Sequence, residues 1–294
     1  MAGTKEIQNR IQSVQQTQQI TNAMYLIASM KMRKAKRELD GTRPYFDAVS
    51  TEIKRIFRTA GDVKSRYFYP PDGSEPLSGP NGLLVITADK GLAGAYNQNV
   101  LKKAEAILKE KPDTKLFVVG EYGRQYFLKR RIPVEQNFLY TAQNPNFTRA
   151  REICLTMLGP YDEGKLKKLY ILYTDLRNGM LTEPIYSRLL PFHRAAFHTD
   201  AQERAVKEPF EFLPSVEEVL NRLVPSYVSG NIYSALVDSF CSEQQARMSA
   251  MKSAGDNAAE MLDELSREYN HIRQANITQE ITELSAPKTV LRNN

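Results

Sequence analysis

Two hydrophobic seams, one at each end of the chain, restrict the folds open to this sequence more than any other feature. The first is Ile7, Ile11, Val14, Gln18, Thr21, Tyr25, Ala28, Met32, Ala35 and Leu39. Its steps alternate four and three, a heptad repeat held over about five heptads. Only Gln18 and Thr21 are polar. Thr4 to Asp40 contains no proline or glycine, and a helix of that span is ~55 Å long at 1.5 Å per residue. Gly41 and Pro44 interrupt the pattern, and Tyr45 to Arg58 is able to extend the helix beyond them. The second seam is Tyr233, Val237, Phe240, Gln244, Arg247, Met251, Ala254, Ala258, Met261, Leu265, Glu268, Ile272, Ala275, Gln279 and Thr282. From Ser226 to Ala286, between Pro225 and Pro287, a continuous helix is ~90 Å long. Gly255 inside it costs about 1 kcal/mol, which so long a seam absorbs.

The middle of the chain has a different rhythm. Residues 68–82, FYPPDGSEPLSGPNG, read as a linker because proline and glycine punctuate them. Gly82 to Thr87 is a short apolar β-run, Ala88 to Ala95 a loop, and Asn97 to Lys111 a helix. A second strand, Leu116 to Val119, precedes a helix from Tyr122 to Arg130; further strands are Leu169 to Tyr173 and Ile185 to Phe192. Strands alternating with helices predict an α/β sandwich. Residues 194–215 are polar and irregular and read as a loop. The divisions are therefore 1–58, an N-terminal coiled-coil helix; 59–81, a linker; 82–215, a central α/β domain; and 216–294, a C-terminal coiled-coil helix. Neither rod is expected to bury its seam on so small a domain, so the two bury it on each other. The C-terminal rod is longer, and its surplus must find another protein, since bare apolar stripes do not stay unpartnered.

Composition narrows the chemistry. The 294 residues are 41% hydrophobic and 25% charged, enough for a packed core and too ordered for wholesale disorder. No stretch approaches the roughly 18 apolar residues that span a bilayer, and MAGTKEIQNRIQ lacks the apolar region of a secretory signal. Cys154 and Cys241 are too far apart for a disulfide scaffold or a Cys-based zinc site and fit a reducing compartment. The loop Asp89-Lys90-Gly91-Leu92-Ala93-Gly94 stands between strand and helix, where phosphate loops occur, but its G-x-x-G spacing matches neither phosphate-binding pattern. It reads as a tight turn, with Tyr96 and Asn97 at the helix entry. His193 and His198 lack the i, i+4 spacing of a helical metal site, His271 lies off the seam, and no Ser-His-Asp or paired-carboxylate arrangement stands out. We therefore expect no catalytic residue, no cofactor and no metal.

The net charge of +6 is mild. The run Lys31, Arg33, Lys34, Lys36 and Arg37 is either a solvated face or a contact for an acidic partner; without interleaved aromatics it is a poor nucleic-acid site. The polar seam residues Gln244, Arg247, Gln279 and Thr282 either set register or face a partner.

The segments EIQNRIQSVQQTQQITNAMYLIASMKMRKA, ITADKGLAGAYNQN, VGEYGRQYF and, most specifically, SEQQARMSAMKSAGDNAAEMLDELSREYNHIRQANITQEITE resemble the gamma subunits of F-type ATP synthases, with LRNGMLTEPIYSRLLPF a looser match. The likeness covers nearly the whole chain in order. It implies an antiparallel, left-handed coiled coil of the terminal helices with a central Rossmann-like α/β domain. It also implies a rotor shaft inside a ring of alternating alpha and beta subunits, footed on the epsilon subunit and the c-ring. Such a shaft touches the membrane only through the c-ring, at the cytoplasmic face of a bacterial plasma membrane, and carries no active site. The resemblance carries Met24, Arg33, Lys34 and Lys36 to the shaft's meeting with an acidic lever of the beta subunits, and Lys90 and Ala93 to a loop approaching that lever. Arg247 falls in the matching E-Q-x-A-R-M segment; Arg273, Gln274, Thr278, Glu280 and Glu283 fall where the upper shaft engages a beta-subunit loop. The chain departs from the family after ITQEITE, where an apolar end is usual. Here Pro287 is expected to stop the helix early, and Lys288 and Arg292 make the tip's sequence polar.

Two other classes fit parts of the sequence. One is an α/β enzyme with a helical dimerisation arm, which needs a ligand at the Asp89–Ala95 turn. The other is a coiled-coil scaffold binding nucleic acid through the Lys31–Arg37 run, which needs steeply salt-dependent binding.

Overall fold

The computed structural model describes residues 2–60, 65–69, 79–175, 183–193 and 212–285. Pro287, Lys288, Arg292, His198, residues 70–78 of the proline-rich stretch and residues 194–211 of the irregular segment lie outside them. In chain order the elements are α1 (Ala2–Ala60), β1 (Asn81–Ile86), α2 (Tyr96–Glu110), β2 (Thr114–Val119), α3 (Glu121–Lys129), α4 (Phe147–Asp162), β3 (Lys168–Thr174), β4 (Pro184–Leu190) and α5 (Val216–Ser285). The chain divides into two compact units: the described residues of Met1–Ala28 with Arg247–Asn294, and those of Ser29–Ala246.

In the first unit, α1 and α5 run antiparallel. Gln8 Nε2 donates to Tyr269 Oη at 2.8 Å, while Thr21 and Asn22 face Gly255, where a Cβ would sit 3.5 Å from a side-chain oxygen of each. As one helix advances the other recedes. Ile7, Thr21, Ala28, Met251, Ala258 and Leu265 are buried, and the small Ala28, Gly255 and Ala258 let the backbones approach. The α5 seam differs in phase from the expected one. Met251, Ala258, Leu265 and Ile272 are shared, but Gly255, Leu262 and Tyr269 turn inward while Met261, Glu268 and Ala275 are exposed. The alternative phase keeps the carboxylate of Glu268 in water and half-buries Leu262 in place of Met261, which lowers the desolvation penalty.

In the second unit a four-stranded sheet has the order β2-β1-β3-β4. β1 pairs parallel with β2 and β3, and β4 closes the edge antiparallel to β3. Because alternate residues point to opposite faces, the central strand feeds two cores. Leu83 and Val85 join Val100, Leu101, Ala104 and Ile107 of α2 and Phe127 of α3. Leu84 and Ile86 join Ile153 and Met157 of α4 together with Ile53 and Ile56 of α1 and Val224, Val228 and Ile232 of α5. Here the structure corrects the sequence reading: these parts of both long helices do bury apolar surface in the domain's core.

Two expected interruptions do not occur. α1 continues through Gly41 and Pro44, both exposed, because its seam stays in phase across them as Leu39, Thr42, Phe46, Val49, Ile53 and Ile56. Burying that row outweighs the roughly 3 kcal/mol that an interior proline costs. α5 likewise starts before Pro225. Ser215 caps it, its Oγ accepting from Glu218 N at 3.2 Å, and the Ser-x-x-Glu spacing with acids in the first turn is a capping-box signature. The sequence reading contains no counterpart of α4, although Asn146 caps it, accepting from Arg149 N at 2.9 Å. Its row of Ala150, Ile153, Cys154, Met157, Leu158 and Tyr161 has helical spacing, but Gly159-Pro160 disguises the last turn.

α1, α4 and α5 meet at an aromatic knot. Phe46 lies with its ring centre 5.4 Å from that of Phe147 and 6.4 Å from that of Tyr233. The Phe46 ring rests directly on the Cα of Gly230, where any Cβ would overlap it. Gly230→Ala is therefore expected to destabilise the chain by about 1–3 kcal/mol through overpacking. Gly41→Ala, with nothing within 4 Å of the new methyl, is expected to stabilise it by about 0.5–1 kcal/mol. Paired thermal melts of the two variants against the parent measure both signs.

Candidate partner-contact surfaces

The first unit carries seven of the residues singled out above. Met24 and Arg247 are half-buried beside the seam. Arg273, Gln274, Thr278, Glu280 and Glu283 are all exposed on the last described turns of α5. From Ile277 to Glu283 every side chain is exposed. Thr278 Oγ1 donates to Gln274 O at 2.9 Å and Gln279 Nε2 to Glu283 Oε1 at 2.9 Å, bonds confined to the helix itself. Sequence reading missed Ile277 and Ile281, two exposed apolar residues one turn apart; their i, i+4 spacing off the seam was the available signal. It also missed Ile20, Leu26 and Ile27, exposed on α1. The polar seam residues divide: Gln244 is buried within the second unit, while Gln279 and Thr282 face outward.

The second unit carries Arg33, Lys34 and Lys36 on α1, all exposed. With Met30 and Arg37 they line an open depression of about 740 Å³. Lys34 Nζ lies 3.8 Å from Glu38 Oε1 one turn on, an exposed pair that contributes little to stability. Lys36 and Arg43 also lower the pKa of Asp238 on α5. Burial, followed by repulsion from Asp175, nevertheless pushes that carboxyl up to about 6.

The Asp89–Ala95 loop is packed and stitched. Asn97 Oδ1 accepts from Ala88 N at 2.9 Å, and Tyr96 Oη shares a buried 2.8 Å hydrogen bond with Ser239 Oγ of α5. Both residues thus do more than open a helix. Lys90 is exposed, but Ala93 is only 2% exposed, enclosed by Ala88, Tyr96 and Ala246. Its side chain faces inward because it seats the loop on α5; the outward apolar group is Leu92, 64% exposed. Downstream, Gly120 at φ 97° lies against the Thr87 carbonyl with no room for a side chain. That is a strand-to-helix turn closed by packing. Cys154 and Cys241 are free and buried, and burial pushes their thiols up to about 12 and about 11. Among the described residues no group of three or more His, Cys, Asp or Glu is arranged to hold a metal ion, and no helix is long and apolar enough to cross a membrane.

Two antiparallel terminal helices with an α/β domain inserted between them define a stalk-type subunit, and known proteins share the pattern. The family model described as ATP synthase matches residues 3–287. The chain is 43% identical over 291 residues to the ATP synthase gamma chain of Caldanaerobacter subterraneus subsp. tengcongensis, covering 96% of this chain and 98% of that one. It is 40% identical over 289 residues to the ATP synthase gamma chain of Acetivibrio thermocellus, covering 97% of each. The rotor of the Euglena gracilis mitochondrial ATP synthase shares the fold, with a TM-score of 0.62 at 15% identity over 94% of this chain and 99% of that one. The chain belongs to the ATP synthase gamma chain family.

The Asp238 carboxyl sets a pH dependence. Its folded-state pKa of about 6 lies above the unfolded value of 3.8, so the folded chain holds this proton more tightly. The group favours folding below about pH 4, and that contribution is lost as pH rises through 6. Asp238→Asn is expected to raise stability at pH 8 by about 1 kcal/mol, allowing for partial solvation, and to change it little at pH 4. Melting temperatures at the two pH values measure the difference.

Proposed function

We propose that this chain is the central rotor shaft of an F-type ATP synthase. In this reading it couples ion-driven rotation of the membrane c-ring to ATP synthesis or hydrolysis on the beta subunits. The observation that carries the reading is the pair of long terminal helices, antiparallel from Ile7 to Ala28 and from Met251 to Ile272, with exposed side chains from Ile277 to Glu283 on α5. A two-helix seam supplies stiffness, and helices of unlike sequence present unlike faces. Driving a neighbour between states requires different interaction energy with each state, which an asymmetric shaft offers as it turns. The outward groups at the α5 end are mostly polar and adaptable, so no single orientation is held too tightly.

Residues 1–58 and 216–294 supply the shaft, 82–215 the foot and 59–81 the connection. Met24, Arg33, Lys34, Lys36 and Lys90 work against the acidic lever of the beta subunits, with Ala93 seating the Lys90 loop from within. Arg247, Arg273, Gln274, Thr278, Glu280 and Glu283 meet beta-subunit surfaces along the shaft. The foot rests on the epsilon subunit and the c-ring, and the alpha and beta subunits ring the shaft. The chain is a non-catalytic subunit without a cofactor, and nucleic acid is not its partner. It sits peripherally on the cytoplasmic face of a bacterial plasma membrane, attached only through the c-ring.

The test is expression of the tagged chain in cells lacking their own gamma chain. Recovery with the alpha and beta subunits, together with no ATP hydrolysis by the chain alone, is expected; a free chain that never joins such a ring overturns the reading. Met24→Lys is expected to lower ATP-driven ion pumping severalfold while leaving assembly intact. Unchanged pumping removes Met24 from the contact.

A further inference from the structure

The carboxylate of Asp89 has no part in the function described above, yet it is the most heavily bonded side chain of its loop. Its Oδ1 accepts from Glu121 N at 3.1 Å and from Ala142 N at 3.2 Å. Its Oδ2 accepts from Ala142 N and Gln143 N, both at 3.0 Å. One side chain thus gathers three backbone N–H groups from the start of α3 and from the 141–144 loop. That second loop is gripped from its far side by Arg149 of α4, whose Nη1 donates to Gln143 O at 2.6 Å and to Thr141 O and Asn144 O at 3.3 Å.

What this clamp holds is an unusual turn. Immediately after Asp89 come the exposed Lys90 and Leu92. Leu92 sits at φ 61°, a left-handed conformation that is costly for a branched side chain and persists only where the surroundings enforce it. On the other side of the turn, Asn97 Nδ2 donates to Lys90 O at 3.4 Å. A cation and an exposed leucine two residues apart, on a turn fixed at both ends, suit an acidic surface with an apolar residue beside it.

We propose that Asp89 is the positioning residue that holds the Lys90–Leu92 turn in the shape in which it meets the acidic lever of the beta subunits, with Leu92 as the turn's apolar contact. This rests on the rotor-shaft reading. Both carboxylate oxygens are needed as acceptors, so Asp89→Asn, which presents an amide NH2 to one set of N–H groups, breaks the clamp with almost no change in volume.

The experiment measures ions pumped per ATP hydrolysed by the assembled complex in membrane vesicles, alongside thermal melting of the complex. Four chains are compared: parent, Asp89→Asn, the pair Lys90→Ala with Leu92→Ala, and all three changes together. Asp89→Asn is expected to lower the coupling ratio about fivefold, the order of one typical hydrogen bond's net contribution. In the Lys90→Ala, Leu92→Ala background the same substitution is expected to produce no further loss of coupling, while its effect on melting persists. Arg149→Gln, which loosens the 141–144 loop without touching Asp89, is expected to repeat this pattern and serves if Asp89→Asn fails to accumulate. Full coupling in Asp89→Asn, or an equal further loss in the background lacking Lys90 and Leu92, overturns the positioning role. Unchanged coupling in the Lys90→Ala, Leu92→Ala chain removes the contact itself. Failure of the rotor-shaft reading shows separately, as a parent chain that never assembles with alpha and beta subunits.

Discussion

Burial of a seam between two antiparallel helices is the constraint on which the rest depends. An isolated helix is marginal in water, and most helical stability in proteins comes from packing one apolar stripe. α1 and α5 supply each other's stripe from Ile7 to Ala28 and from Met251 to Ile272. Because the helices come from opposite ends of the chain, everything between them has to return to the pair. The antiparallel direction is shown by which residues meet, Gln8 with Tyr269 and Thr21 and Asn22 with Gly255.

In the second unit the constraint takes another form. β1 divides its side chains between two cores, and the face bearing Leu84 and Ile86 is covered by α4 together with α1 and α5. Helix pair and sheet therefore share apolar surface directly. The knot of Phe46, Phe147 and Tyr233 over Gly230 locks three helices at one point. Aromatic rings in close contact resist sliding, because interiors packed this densely deform little. Force applied to the sheet domain of this unit is thus passed to its helices through packed side chains.

Much of this was legible in residue spacing, and the misses share causes. The α1 seam reads correctly: all ten of its positions are buried or half-buried. The upper α5 seam takes the alternate phase: Met251, Ala258, Leu265 and Ile272 fit both, and Gly255, Leu262 and Tyr269 against Met261, Glu268 and Ala275 discriminate. Proline and glycine misled in the helices because local propensity is outweighed by seam burial. That is why α1 passes Pro44 and α5 passes Pro225. At the candidate site, spacing argued against a phosphate loop but did not tell Ala93 from Leu92, since which of two adjacent loop residues turns inward depends on what packs behind them. The bonds of Asp89 join segments more than thirty and fifty positions away, a relation no local pattern contains.

The two native thiols have a practical corollary. Cys154 and Cys241 are enclosed, and their raised pKa values leave almost no thiolate near neutral pH, so they are poor nucleophiles. A cysteine introduced at an exposed position would react with maleimides or disulfide cross-linkers against a silent background. Probes of rotation or proximity can therefore be attached to this chain without first removing its own sulfhydryls.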